Sequence, residues 1–158
     1  MRRILYVIVT VIICNIPVKA QREQVWMIGP MVHFNISEKK MRPSFAIELS
    51  WWDYTHWPYS LDAGIEFEKK KIRIYSEAQT GIGILGVSFG PVLELRTDEF
   101  KLGIGPQWSV WANYFGGFDM RLRKVGESFS YCPGLYFKLP LGIEVDGDHR
   151  DHDWDWDD

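Results

Sequence analysis

The 158-residue chain has two cysteines, Cys14 and Cys132, and only Cys132 lies beyond the first twenty residues. An internal disulfide is therefore excluded from the domain that follows, whose stability must come from packing and backbone pairing. Downstream of residue 20 no apolar run approaches the roughly 20 residues that a membrane helix needs. No stretch has convincing helical spacing of its apolar residues either. Basic excess is lacking too: beyond residue 20 there are 15 Lys or Arg against 21 Asp or Glu. With no basic patch, nucleic acid is not an expected partner. Gly81-Ile82-Gly83 lacks the lysine and following helix of a phosphate-binding loop, and no cofactor is expected.

What is present begins with a leader. Arg2 and Arg3 precede an apolar core from Ile4 to Ile13, and Val18-Lys19-Ala20 supplies a small-residue cleavage site. Residues 1–20 thus read as a secretory signal, and the protein is expected to be exported. The other end is acidic, with eight Asp or Glu and one Arg in residues 144–158. Residues 21–143, with 14 bases and 13 acids, are nearly neutral and form the expected folded domain.

Within that domain residues sort by parity. Leu85, Val87, Phe89, Pro91, Leu93 and Leu95 alternate with Gly86, Ser88, Gly90, Val92, Glu94 and Arg96. Strand side chains point alternately to opposite faces, so the two sets meet different environments. Eight such runs are expected, at 25–36, 44–53, 60–68, 71–80, 84–96, 100–113, 117–124 and 128–141. The segments between them are short and turn-like, among them Ser37 to Lys40, Glu68 to Lys70, Thr80-Gly81, Gly116-Gly117 and Lys124 to Gly126. Short links favour consecutive antiparallel hairpins, giving an all-β, up-and-down barrel whose two ends emerge on the same side. A Gly-Pro pair recurs at Gly29-Pro30, Gly90-Pro91 and Gly105-Pro106, where a bulge or strand bend is expected.

Alternation does not say which face is inside; residue size and charge do. The polar face carries many Gly and Ser residues, which fit a narrow eight-strand interior. It also carries Glu48, Asp62, Glu66, Glu77, Glu94 and Asp119 against Arg73, Arg96, Lys101, Arg121, Arg123 and Lys138, six of each sign. A closed lumen needs such balance, because an unpaired buried charge costs several kcal/mol. The expected lumen network is Glu48, Glu66, Arg73, Glu77, Glu94, Arg96, Asp119, Arg121, Arg123 and Lys138. Aromatics near strand ends, including Trp26, Phe34, Phe45, Trp51, Phe67, Trp108, Phe129 and Tyr131, have the placement of interfacial girdles.

In this pattern residues 24–142 resemble the small eight-stranded outer-membrane β-barrels of bacteria. The resemblance implies an outer-membrane location, lipid as the partner of the apolar face, and a structural or lipid-facing role with a plugged lumen. Two features depart from that group: an acidic tail follows the last strand, and no connection is long. A second reading stays open, a periplasmic or secreted soluble barrel whose apolar interior binds a small hydrophobic ligand. It is separated from the first by whether Phe89, Leu93, Trp108 and Phe137 point out of the barrel or into it.

Catalytic chemistry is weakly signalled, and the chain is not expected to be an enzyme. His33 shares the polar face with Glu48 and lies near Ser44 and Ser50, so a Ser–His–Glu group acting on lipid is the third reading. Cys132 has no neighbouring cation in sequence to activate it. In the tail, Asp146, Asp148 and His149 are close enough to share a divalent cation, although a run of like charges more often forms a solvated end.

Overall fold

The computed structural model describes residues 24–38, 40–82 and 84–141. The leader and the acidic tail, with its cation-binding expectation, lie outside the described residues. Eight long strands follow in chain order: β1 Gln24–Ser37, β2 Lys40–Asp53, β3 Tyr59–Glu68, β4 Lys71–Ile82, β5 Leu85–Arg96, β6 Lys101–Ala112, β7 Gly116–Val125 and β8 Ser128–Phe137. A short β9, Leu139–Leu141, continues β8 after Lys138. Each strand pairs antiparallel with the next, and β8 returns to β1, which also pairs with β2. The sheet is thereby a closed eight-stranded up-and-down barrel with no free edge pair between its first and last strands.

Trp26 of β1 stands opposite Leu141 of β9, so the two ends of the described chain emerge together. At the opposite end the turns are tight. Ser37 pairs with Lys40, Glu68 with Lys71 and Val125 with Ser128, leaving two residues in each loop. Such loops twist with the strands when a residue adopts positive φ, and Glu38, Lys70 and Gly126 do so at 49°, 68° and 60°. The β5–β6 turn is longer and uses Phe100 at 50°.

Three boundaries differ from the sequence reading. Thr80 and Gly81 remain in β4, paired with Val87 and Gly86. Gly116 and Gly117 start β7 rather than form a turn. Lys40 already pairs with Ser37, so β2 starts four residues earlier than expected. In each case a residue type that favours turns is held in a strand by pairing with its neighbour.

At Pro30 and Pro91 the Gly-Pro pair is not a bulge. Pairing of β4 with β5 skips only Ser76 and Glu77 opposite Pro91 and Gly90, then resumes in unchanged register, so no residue is inserted. In the registers of the flanking pairs, Pro30, Pro91 and Pro106 face Phe137, Ser76 and Lys124. In all three, the carbonyl oxygen of the facing residue occupies the space that a Cβ on the preceding glycine would fill. Proline offers no N–H to that carbonyl. The carbonyl leans over the glycine instead, where a side chain would collide with it.

Candidate functional site

The barrel has two chemically opposed surfaces, and strand parity creates both. Outward strand positions from Trp26 to Leu139 are apolar, with Asp53 at the end of β2, Ser76, Thr80 and Lys124 as exceptions. Phe89 is 55% exposed, Trp108 41% and Phe137 53%, all pointing out of the barrel, and Leu93 lies half-buried on the same outer face. The aromatics pair across strands: Trp26 faces Trp51 and Phe45 faces Phe67, while Trp51 packs edge-on against Tyr59 at 5.7 Å. With about six outward positions per strand, 3.3 Å rise per residue and a tilt near 40°, the belt is roughly 25–30 Å tall. That matches a bilayer's hydrocarbon thickness.

The interior is charged. Glu48, Asp62, Glu66, Arg73, Glu77, Glu94, Asp119, Arg121, Arg123 and Lys138 are all buried. The apolar interior required by the ligand-carrier reading is therefore occupied by ion pairs. Beneath the tight-turn rim, Arg123 donates to both oxygens of Glu66 at 2.9 and 2.5 Å, and further to Asn35 and Gln107. Glu66 also accepts from Arg73 Nη1 at 2.7 Å, so one carboxylate joins two guanidiniums from different strands. Arg73 in turn reaches Glu68 at 2.7 Å and Glu94 at 2.8 Å.

A second group lies toward the end where the termini emerge. Arg121 donates to Asp119 and Glu48, each at 2.6 Å, and its guanidinium sits 4.4 Å from the centre of the Tyr75 ring. Lys138, in the break between β8 and β9, is 2.5 Å from Glu48 and 2.9 Å from Asp62. Beyond it the inward-facing Trp52 and Trp111 meet edge-on at 5.6 Å, and Tyr114 packs against both at 5.3 Å. This aromatic lid leaves a cavity of about 10 Å³ beneath it, scarcely one water. At the tight-turn end a polar vestibule of about 310 Å³ opens among Arg42, Glu68, Lys71, Glu94 and Arg96.

Arg96 and Lys101 do not belong to the interior. They are register partners on either side of the β5–β6 turn, and Arg96 is 38% exposed, 3.6 Å from Glu94. Parity gives their face correctly, but height places them at the rim. Six buried acids then face four buried Lys or Arg residues, not six. Neutral donors supply part of the difference: Tyr75 donates to Glu48 at 2.8 Å and Gln107 to Glu77 at 2.8 Å. These uncharged partners, with Asn35 and Gln79, were missed because charge counting overlooks them. Their inward parity was the available signal.

His33 is fully buried and its Nε2 is 2.9 Å from Asp119, with Nδ1 3.9 Å from Glu66. Ser44, its register partner, accepts from Asn35 at 2.7 Å. The Ser–His–Glu group is therefore not assembled, because the histidine is engaged by an aspartate from β7. Cys132 is buried and Arg123 lies on the same inner face, but it has no access to solvent.

No protein-family model matches the chain, and no curated protein matches it. Among solved structures it is similar to a de novo designed transmembrane β-barrel, with a TM-score of 0.50 and 10% identity over 75% of this chain and 98% of that one. A second designed barrel, TMB2.3, gives 0.50 and 9% over 73% and 95%. Neisserial surface protein A gives 0.46 and 11% over 76% and 98%. At such identity the likeness to the two designed barrels carries the fold alone: this chain has the fold of eight-stranded transmembrane barrels.

Proposed function

We propose that the protein is an exported barrel embedded in a bacterial outer membrane, with a closed lumen and a structural or lipid-facing role rather than a pore or an enzyme. The observation that carries this reading is the outer belt, apolar around the circumference and of bilayer height, over an interior filled by ion pairs. A soluble protein would have to leave that whole belt in water, far beyond the few hundred Å² of apolar patch usual on a monomer. The packed Arg121–Tyr75 layer and the Trp52–Trp111–Tyr114 lid oppose passive flow through the lumen.

Depth-dependent charge tolerance tests the placement. Phe89, on the outer face near mid-strand, should cost about 2–4 kcal/mol when changed to Arg, whereas Leu85→Arg at the strand end should cost about 0–1. Refolding into phosphatidylcholine vesicles with urea titration reads both. Equal costs, or a wild-type chain that is folded and monomeric without detergent or lipid, would refute the placement. Proteoliposomes of the wild type should also stay sealed to small sugars.

A further inference from the structure

The two ends of the barrel carry different charge. The tight-turn segments 37–42, 68–71, 96–101 and 124–128 hold nine Lys or Arg against five Asp or Glu. The opposite connections, 53–59, 82–85, 112–116 and 138–141, hold Lys138 and Asp53 as their charged residues besides His56. Lys138 is buried between Glu48 and Asp62, so among the described residues that end presents no exposed Lys or Arg.

Not all the basic residues at the turn end are free. Arg42 pairs with Glu68, Lys70 with Asp98, Lys71 with Glu94 and Arg96 with Glu94 and Glu99. Apart from Lys40, the cations that line the vestibule are thus matched by carboxylates. Lys40, Lys69, Lys101 and Lys124 have no carboxylate partner among the described residues, and all four are exposed. They stand on β2, the β3–β4 turn, β6 and β7, and so are spread around the circumference. Lys124 lies on the outer face itself, two residues beyond Leu122 and opposite Phe129. Phe100, 86% exposed at the tip of the β5–β6 turn, adds an apolar side chain between Arg96 and Lys101.

Resting on the membrane reading above, we propose that this ring of unpaired lysines is a docking surface for the phosphates of anionic lipid headgroups, in the leaflet that meets the tight-turn end. Lys124 stands on the apolar belt itself, Lys69 in the β3–β4 turn, and Lys40 and Lys101, at inward strand positions, on the rim just above the belt, where hydrocarbon gives way to headgroups. A lysine stem can lie along the belt while its ammonium reaches a phosphate. Basic side chains beside a membrane are drawn to anionic lipid over a Debye length of about 10 Å at 0.1 M salt. The aromatic-rich opposite end, which presents no exposed Lys or Arg among the described residues, offers anionic lipid no comparable attraction.

The test is lipid selectivity of the full chain, refolded into phosphatidylcholine vesicles containing spin-labelled phosphatidylglycerol or spin-labelled phosphatidylcholine. The motionally restricted fraction of each label gives their relative association with the barrel. Wild type should favour the phosphatidylglycerol label about twofold or more at low salt, and the preference should fade at 1 M NaCl, where the Debye length is about 3 Å. K40Q/K69Q/K101Q/K124Q should restrict phosphatidylcholine as wild type does and lose the preference. If that variant does not refold, K40Q/K69Q and K101Q/K124Q are read instead, each losing part. A wild type without preference, or variants that keep it in full, would overturn the docking surface. No restricted lipid of either kind around wild type would overturn the membrane placement itself.

Discussion

Glu66 is the residue whose loss should expose the lumen network most directly. It is fully buried on β3 and accepts from Arg123 through both oxygens, from Arg73 at 2.7 Å and from Asn35 at 3.1 Å. Glu66→Gln keeps the shape but removes the charge, and it turns an amide N–H₂ toward guanidinium donors. Arg73 still has Glu68 and Glu94. Arg123 is left with Gln107 and Asn35, two neutral acceptors, although it too is fully buried. A buried charge deprived of its partner typically costs about 3–5 kcal/mol. The control is Glu38→Gln in the exposed β1–β2 turn, which should stay within about 0.5 kcal/mol of wild type.

The assay is urea unfolding of barrels refolded in lipid vesicles, followed by tryptophan fluorescence. With a slope of roughly 1–3 kcal/mol/M, the Glu66→Gln midpoint should fall by at least about 1 M while Glu38→Gln stays near wild type. Arg123→Gln should cost less than Glu66→Gln, since Glu66 then keeps Arg73. Coincident midpoints for Glu66→Gln and Glu38→Gln would mean that water reaches the lumen and screens the network, and the closed interior would have to be abandoned.

Gly90→Ala should destabilise by about 1–3 kcal/mol in the same assay, because the new methyl meets the Ser76 carbonyl on the neighbouring backbone. Gly103→Ala meets the side chain of Val125, which can turn away, and should cost clearly less; the reverse order would refute the carbonyl argument. The hydrogen bond from Lys70 holds Asp98 below the usual carboxylate range. A depressed value means that this turn contact is present above the unfolded-state pKa of about 3.9 and is lost as pH falls through the lower folded value. Carboxylate chemical shifts should place the Asp98 midpoint below that reference in wild type and return it upward in Lys70→Gln; an unchanged midpoint would contradict the contact.

Much of the fold was legible because a strand's two-residue period is a strong constraint: once Leu85 to Arg96 alternate, every side chain in β5 is assigned a face. Short links then leave little choice but sequential hairpins. Depth along the barrel was not legible in the same way. Arg96 and Glu94 share parity, yet Glu94 lies buried beneath the rim and Arg96 on it. Tyr75 is similar: parity puts its ring on the polar face, but only the stagger of the strands brings it beneath Arg121 and its hydroxyl to Glu48. Partner choice among the charges depends on which inward positions come level across the lumen, a three-dimensional stagger that no local window contains.

The Gly-Pro echo shows how one sequence signal can stand for two geometries. Glycine before proline in a strand suggested a bulge or a strand bend, because each weakens pairing on its own, and of these the inserted residue is absent. Together they solve one problem: proline withholds the N–H that the facing carbonyl would use, and glycine clears the volume into which that carbonyl moves. Register is retained, as the pairs on either side of Pro91 demonstrate. Retained register matters here more than in a half-exposed sheet. A one-residue slip anywhere in a closed barrel would carry charged lumen residues onto the apolar belt and belt residues into the lumen. The device therefore relaxes the ladder at three seams while preserving the inside–outside assignment on which both the ion-pair interior and the lipid-facing exterior depend.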